Sequence, residues 1–167
     1  MIIEEAIGFF GHTADSAKLD EYLASLGVKE RPQFNENPYE WVARNEEGYI
    51  LMFEARHNYE ETWGTVIGNG SMVFAGVRVH SKENNAGCAE YASPLPSPLS
   101  FDQKHHDVLA HLGAPSFDDE ATGDENRLCT WNKVRLGKSD VFLSVNFLPN
   151  DGSVSFLTIK PVKLRFL

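Results

Sequence analysis

The sequence predicts an α+β protein: two similar units, each a helix followed by an antiparallel β-meander, forming one compact body. Three observations carry this reading. Residues 99–162 hold one helix signal and then three strand-like runs separated by turns. Residues 17–79 follow the same order, and Leu23, Ala24, Leu26 and Gly27 match Leu109, Ala110, Leu112 and Gly113 at a constant offset. Downstream, Trp41 aligns with Trp131, residues 48–55 with 140–147, and residues 73–78 with 155–160. Internal similarity of this extent suggests duplication, with residues 1–90 as the first unit and 91–167 as the second.

The elements follow in order. Ile2, Ile3, Ala6, Ile7, Phe9 and Phe10 recur at spacings of three and four, which predicts a short helix closed by Gly11. Asp15 and Ser16 supply the start of a second helix, with Leu19, Tyr22, Leu23 and Leu26 as its buried stripe and Gly27 as its stop. Residues 28–34 read as extended, with Pro32 marking an edge. Residues 39–44 and 49–55 form a predicted hairpin around the turn at 45–48. Residues 56–71 break the repeat and read as a long surface loop with one short strand near 65–67, and residues 72–80 are a clear strand. The linker at 88–98 carries three prolines, which stiffen it.

In the second unit the helix is predicted over residues 100–112, stopped by Gly113 and Pro115. Residues 116–126 read as a second long loop, rich in Asp and Glu. Residues 128–136, 140–147 and 153–162 are the three strands, the last placing Val154, Phe156 and Ile159 near one face.

Composition narrows the function classes. Apolar residues make up 42% and charged residues 23%, ordinary for a globular protein. No apolar run approaches the ~20 residues of a membrane span. No basic leader precedes an apolar stretch, so the expected location is cytoplasmic. Cys88 and Cys129 sit in no CxxC pattern and read as free thiols. The formal charge is −9, concentrated in the first 90 residues, where fifteen acids face seven Lys or Arg. Such a surface repels phosphate backbones and disfavours nucleic acid, whereas it steers basic protein partners inward.

Chemistry-bearing clusters are sparse. His105, His106 and His111 share one helix, but spacings of one, five and six set their rings roughly 100°, 140° and 240° apart, so they do not converge on a cation. A metal-free, cofactor-free protein is therefore expected. Asp118, Asp119, Glu120, Asp124 and Glu125 lack the EF-hand spacing. His57 with Glu60 or Glu61 could form an acid/base set. Trp41 and Trp131 read as equivalent core residues. Trp63 has no counterpart; flanked by Tyr59, Glu60 and Glu61, it has the composition of a binding anchor with an acidic rim.

Taken together, the run from Gly11 to Asp15 before a Leu-rich helix ending Leu26-Gly27, the Tyr39–Val42 segment, the 94–101 proline-rich stretch, the Leu112–Pro115 helix end and Asp151-Gly152 resemble bacterial immunity proteins of polymorphic or contact-dependent toxin systems. The tandem plan is also similar to β-lactamase-inhibitor-like proteins, and that likeness implies two units joined edge to edge in a curved sheet. The resemblance implies a non-enzymatic protein that binds a cognate toxin and blocks its active site or substrate channel. The partner surface expected from the residues is Tyr59, Glu60, Glu61, Trp63, Asp118, Asp119, Glu120, Asp124 and Glu125, facing a basic toxin. A small-molecule or peptide-binding module is the first alternative, and a small hydrolase built on His57 the second.

Overall fold

Seven strands form one antiparallel sheet in the order β1-β2-β3-β7-β6-β5-β4 in the computed structural model, which describes residues 1–120 and 123–167. The strands are β1 (Tyr39–Arg44), β2 (Tyr49–Ala55), β3 (Met72–His80), β4 (Phe117–Asp119), β5 (Arg127–Leu136), β6 (Ser139–Phe147) and β7 (Val154–Lys160). The helices are α1 (Ile3–Ile7), α2 (Ala17–Ser25), α3 (Arg56–Thr62) and α4 (His105–Leu112). The α+β reading therefore holds. The plan of a helix followed by a three-strand meander occurs twice, as α2-β1-β2-β3 and α4-β5-β6-β7, with β4 added at one edge.

The two meanders meet through their last strands. Val77 pairs with Ile159, Arg78 with Thr158 and Val79 with Leu157. Val77 and Ile159 are also the residues that the sequence aligned with each other, so the register of the seam matches the internal repeat. Gly76 is needed here: a Cβ on it would lie 2.8 Å from the Ile159 carbonyl oxygen across the seam.

One face of the sheet carries the main core. Leu51, Phe53, Phe74, Val77, Val79, Leu143, Val145, Leu157 and Ile159 pack under Ile3 and Ala6 of α1, Leu19 and Leu23 of α2, and Val108 of α4. Burying a side chain of this size contributes about 1.5–3 kcal/mol. Phe9 stacks on Tyr22 at 4.5 Å, tying the end of α1 to α2. Asp107 accepts the Lys104 amide at 3.0 Å and so starts α4, and Gly113 at φ 77 ends it. All seven residues of β2 are buried.

Several expectations change. Residues 56–62 are helix α3, not loop, because Tyr59 and Trp63 at i and i+4 reach Val73 and Ala75 on the second face of the sheet. The expected strand at 65–67 is one bridge, Ile67 to His12. Residues 28–35 are irregular, α1 is shorter than its apolar pattern, and the 116–126 loop contains the edge strand β4. Helix α4 begins at His105, since residues 100–103 close a turn in which Gln103 Oε1 accepts the Ser100 amide.

Trp41 and Trp131 are not equivalent. Trp41 sits opposite Met52, whereas Trp131 sits opposite Leu143. Under the alignment of 48–55 with 140–147, Leu143 matches Leu51, so the two tryptophans differ by one register step and point to opposite faces. Trp131 is buried with its indole N–H on the Gly113 carbonyl at 3.2 Å, and Trp41 is half exposed. Phe156 likewise lies on the open face rather than with Ile159, because β7 holds its alternation through Leu157.

Candidate functional site

Among the described residues, the second face of the sheet is packed at one end by α3, through Tyr59 and Trp63 on Val73 and Ala75. The remainder is a depression of about 420 Å³ that crosses strands from Tyr39 of β1 to Leu128 of β5. Its floor follows the pleat: Met52 and Glu54 from β2, Arg78 from β3, Phe156, Thr158 and Lys160 from β7, and Phe142, Ser144 and Asn146 from β6.

Its charges are distinctive for so acidic a chain. Arg78 lies between two rings, 5.0 Å from the centre of Trp41 and 4.6 Å from that of Phe156. Its Nε donates to Thr158 Oγ1 at 3.1 Å. No carboxylate pairs with it among the described residues. Burial lowers the pKa of its guanidinium below the usual value, and arginine remains charged regardless. Lys163 is a second cation without a carboxylate partner among the described residues, 5.7 Å from the Trp63 ring and 5.1 Å from Phe142, its pKa lowered first by burial and then by Arg165 and Lys160. Lys160 is committed to Glu54 at 2.8 Å, and the Trp63 indole N–H donates to the other Glu54 oxygen at 2.9 Å. Glu54 is thus fully occupied, and Arg78 and Lys163 remain available to an anionic group. Arginine's planar fork suits a carboxylate, bound bidentately.

His80, beneath Phe156 at 5.6 Å, is buried with Nδ1 near the Gly48 carbonyl at 3.3 Å. Burial, followed by the nearby Arg78 charge, lowers its pKa below 6.5, and the Gly48 contact opposes this only in part. His80 is therefore neutral in the folded protein and binds a proton more readily when unfolded. Its contribution to stability is complete above pH 6.5 and is lost as pH falls through the lowered value. Chemical denaturation between pH 7.5 and 5 will show stability falling with acid, and His80→Gln will flatten the part of that slope due to His80.

The residues expected to form a partner surface are dispersed. Tyr59 and Trp63 are buried with Val73 and Ala75, and Trp63 forms a wall of the depression rather than a projecting anchor. Glu60 and Glu61 are on α3 outside the core, with Glu60 paired to Arg56 at 3.1 Å. His57 meets Phe34 edge-on, and among the described residues Glu60 pairs with Arg56 rather than with His57. Asp118 is clamped by Arg127 through two hydrogen bonds of 2.8 and 2.6 Å, and Glu120 reaches the same guanidinium. Asp119, Asp124 and Glu125 are exposed. Helix α3 follows the end of β2, whereas the 118–125 segment precedes β5 at the opposite end of the strands. The two acidic groups therefore do not converge into one rim. Residues 121 and 122 of that segment lie outside the described residues.

A larger depression of about 1020 Å³ runs between residues 27–35 and β1. Its two arginines are paired, Arg31 with Asp20 and Arg44 with Glu47, while Lys29, Glu30 and Glu40 on its lining form no ion pair among the described residues. Elsewhere, His105 of α4, Asp118 of β4 and Cys129 of β5 bring a nitrogen, an oxygen and a sulfur within 4.8 Å of one another. Cys129 is fully buried and the pKa of its thiol is raised to about 11, first by burial and then by Asp118, which disfavours a nucleophilic role.

Sequence reasoning missed the open-face residues because Arg78, Phe156 and Trp41 belong to three different strands. Their shared face becomes legible only once Trp41 and Phe156 are both assigned to it. Comparison of the chain with protein-family models, with curated proteins and with solved structures returns no match.

Proposed function

We propose that this protein is a non-enzymatic binding protein that neutralises a cognate bacterial toxin, and that it engages the toxin with the open face of the sheet. The observation that carries the location is Arg78, a guanidinium with no carboxylate partner among the described residues, held between Trp41 and Phe156 in the depression beside α3. Aromatic residues and arginine dominate the energetics of protein interfaces, and a cation already fixed by stacking loses little entropy on binding. The toxin segment that fits here carries a carboxylate, received by Arg78 and Lys163. The toxin class itself rests on the resemblance of the sequence to immunity proteins. Glu60 and Glu61 lie outside this contact and act at long range, on the association rate.

The test is binding to the product of the neighbouring gene by titration calorimetry, with inhibition of its toxicity as a second readout. Arg78→Ala will weaken binding by about 2 kcal/mol, roughly 30-fold, and Trp41→Ala by about 1–2 kcal/mol. Unchanged affinity in both variants, with intact folding, places the interface on another surface. A second reading is favoured by one measurement: the depression of about 420 Å³ falls within the usual range for small-ligand sites. A small carboxylate retained through purification, and released by Arg78→Ala, would support ligand binding in place of toxin capture.

A further inference from the structure

We propose that His105, Asp118 and Cys129 form a binding site for a thiophilic divalent cation, zinc being the best match to a nitrogen, oxygen and sulfur donor set. Asp118 and Cys129 are register partners on β4 and β5, which fixes their side chains together at the sheet edge. His105 is brought over them by the start of α4, where its amide donates to the Gly152 carbonyl at 2.9 Å and its ring meets Phe147 edge-on at 5.0 Å. The three donor atoms lie within 4.8 Å of one another, and Cys129 Sγ is 3.4 Å from Asp118 Oδ1.

An independent observation points to a missing occupant. His105 Nε2 is buried and has no hydrogen-bond partner among the described residues. An orphaned buried ring nitrogen costs free energy, and a cation bound there removes that cost. The metal takes the position of the thiol proton that now lies between Cys129 and Asp118. One proton leaves to solvent for each cation bound. Thiolate and carboxylate together neutralise the dication. Arg127 keeps its grip on Asp118 through Oδ2, in the manner of an outer-shell partner that orients a ligating carboxylate. His105 also lines a depression of about 370 Å³ with Glu120 and Arg127, and a tetrahedral cation held by three protein ligands takes water as its fourth. The histidines of the helix do not converge on one another, as their spacing indicates. The partners of His105 come instead from two strands, and spacing along one helix carries no information about them.

The experiment is titration of the metal-free, full-length chain with cobalt(II) and with zinc(II). Cobalt will bind one to one with a thiolate-to-metal absorption band, and zinc will displace it. Zinc at a hundredfold excess over its Kd will raise Tm by about 5–10 °C. The groups facing the site are Arg127, Glu120 and His106, together with the ligands themselves. Cys129→Ser and His105→Ala will each abolish the band, and Cys88→Ser will keep it. His105→Ala alters a partly exposed residue at a helix start, so its loss of cobalt binding is informative even if Cys129→Ser folds poorly. Absence of both the band and the Tm shift in the parent chain overturns the proposal, as does a band that survives His105→Ala or depends on Cys88.

Discussion

Gly48→Ala will cost at least ~3 kcal/mol of stability and lower Tm by about 6–12 °C. Gly48 closes the turn between β1 and β2 at φ 76, a conformation that costs an L-residue about 1–2 kcal/mol. The second contribution is steric. A Cβ at this position would meet the Tyr91 amide nitrogen and would lie 2.5 Å from both the Ala89 carbonyl oxygen and the Glu90 carbonyl carbon. These are backbone atoms and cannot rotate away. They belong to a segment fixed by the Ala89 amide on the Asn45 carbonyl and the Tyr91 amide on the His80 carbonyl, both at 2.9 Å. Gly87 is the control for positive φ without a steric clash, since it has φ 73 and a Cβ added to it would find nothing within 4 Å. Gly87→Ala should therefore show the conformational cost alone, about 1–2 kcal/mol. Thermal and urea denaturation of the two variants separates these contributions, and equal losses would show that the 89–91 segment yields.

Lys160→Met is expected to cost about 2–3 kcal/mol, because it leaves the Glu54 carboxylate buried with only the Trp63 N–H as a direct partner. Breaking a buried pair from one side exceeds the worth of the pair itself, since the remaining charge is neither solvated nor matched. Lys163, whose ammonium already senses Glu54, limits the loss. The double variant Glu54→Gln/Lys160→Met should recover most of it, because the amide keeps an acceptor for Trp63 and removes the stranded charge. Urea denaturation of the single and double variants measures this coupling. A double variant no more stable than Lys160→Met would show that packing of the lysine stem, not charge, holds this end of the sheet.

Six of the seven strands were legible in the sequence as strand-like runs bounded by turn chemistry, and β4 was not. Residues 39–44, 49–55 and 72–80 form strands at the expected bounds. Helix α3 was not legible, since its anchors Tyr59 and Trp63 satisfy a helical spacing in a segment otherwise polar, and only the sheet beneath them decides the outcome. The open face was obscured by register. The hairpin of β1 and β2 places Trp41 opposite Met52, and a bulge between Trp131 and Val134 distorts β5, so similarity along the chain could not report which face each ring occupies. The His105, Asp118 and Cys129 cluster required the pairing of β4 with β5, and a three-residue edge strand carries almost no periodic signal.

The seam between β3 and β7 also bears on synthesis of the chain. Val77 waits for Ile159, and at ribosomal speeds of about 5–20 residues per second that interval is on the order of 4–16 s. Throughout it, β3 has β2 on one side and a bare row of amides and carbonyls on the other, along a nine-residue, mainly apolar strand. A nascent first half is thus an open template for strand addition by another chain. Chaperone occupancy on ribosomes should peak after residue 80 emerges and decline once β7 has cleared the exit tunnel.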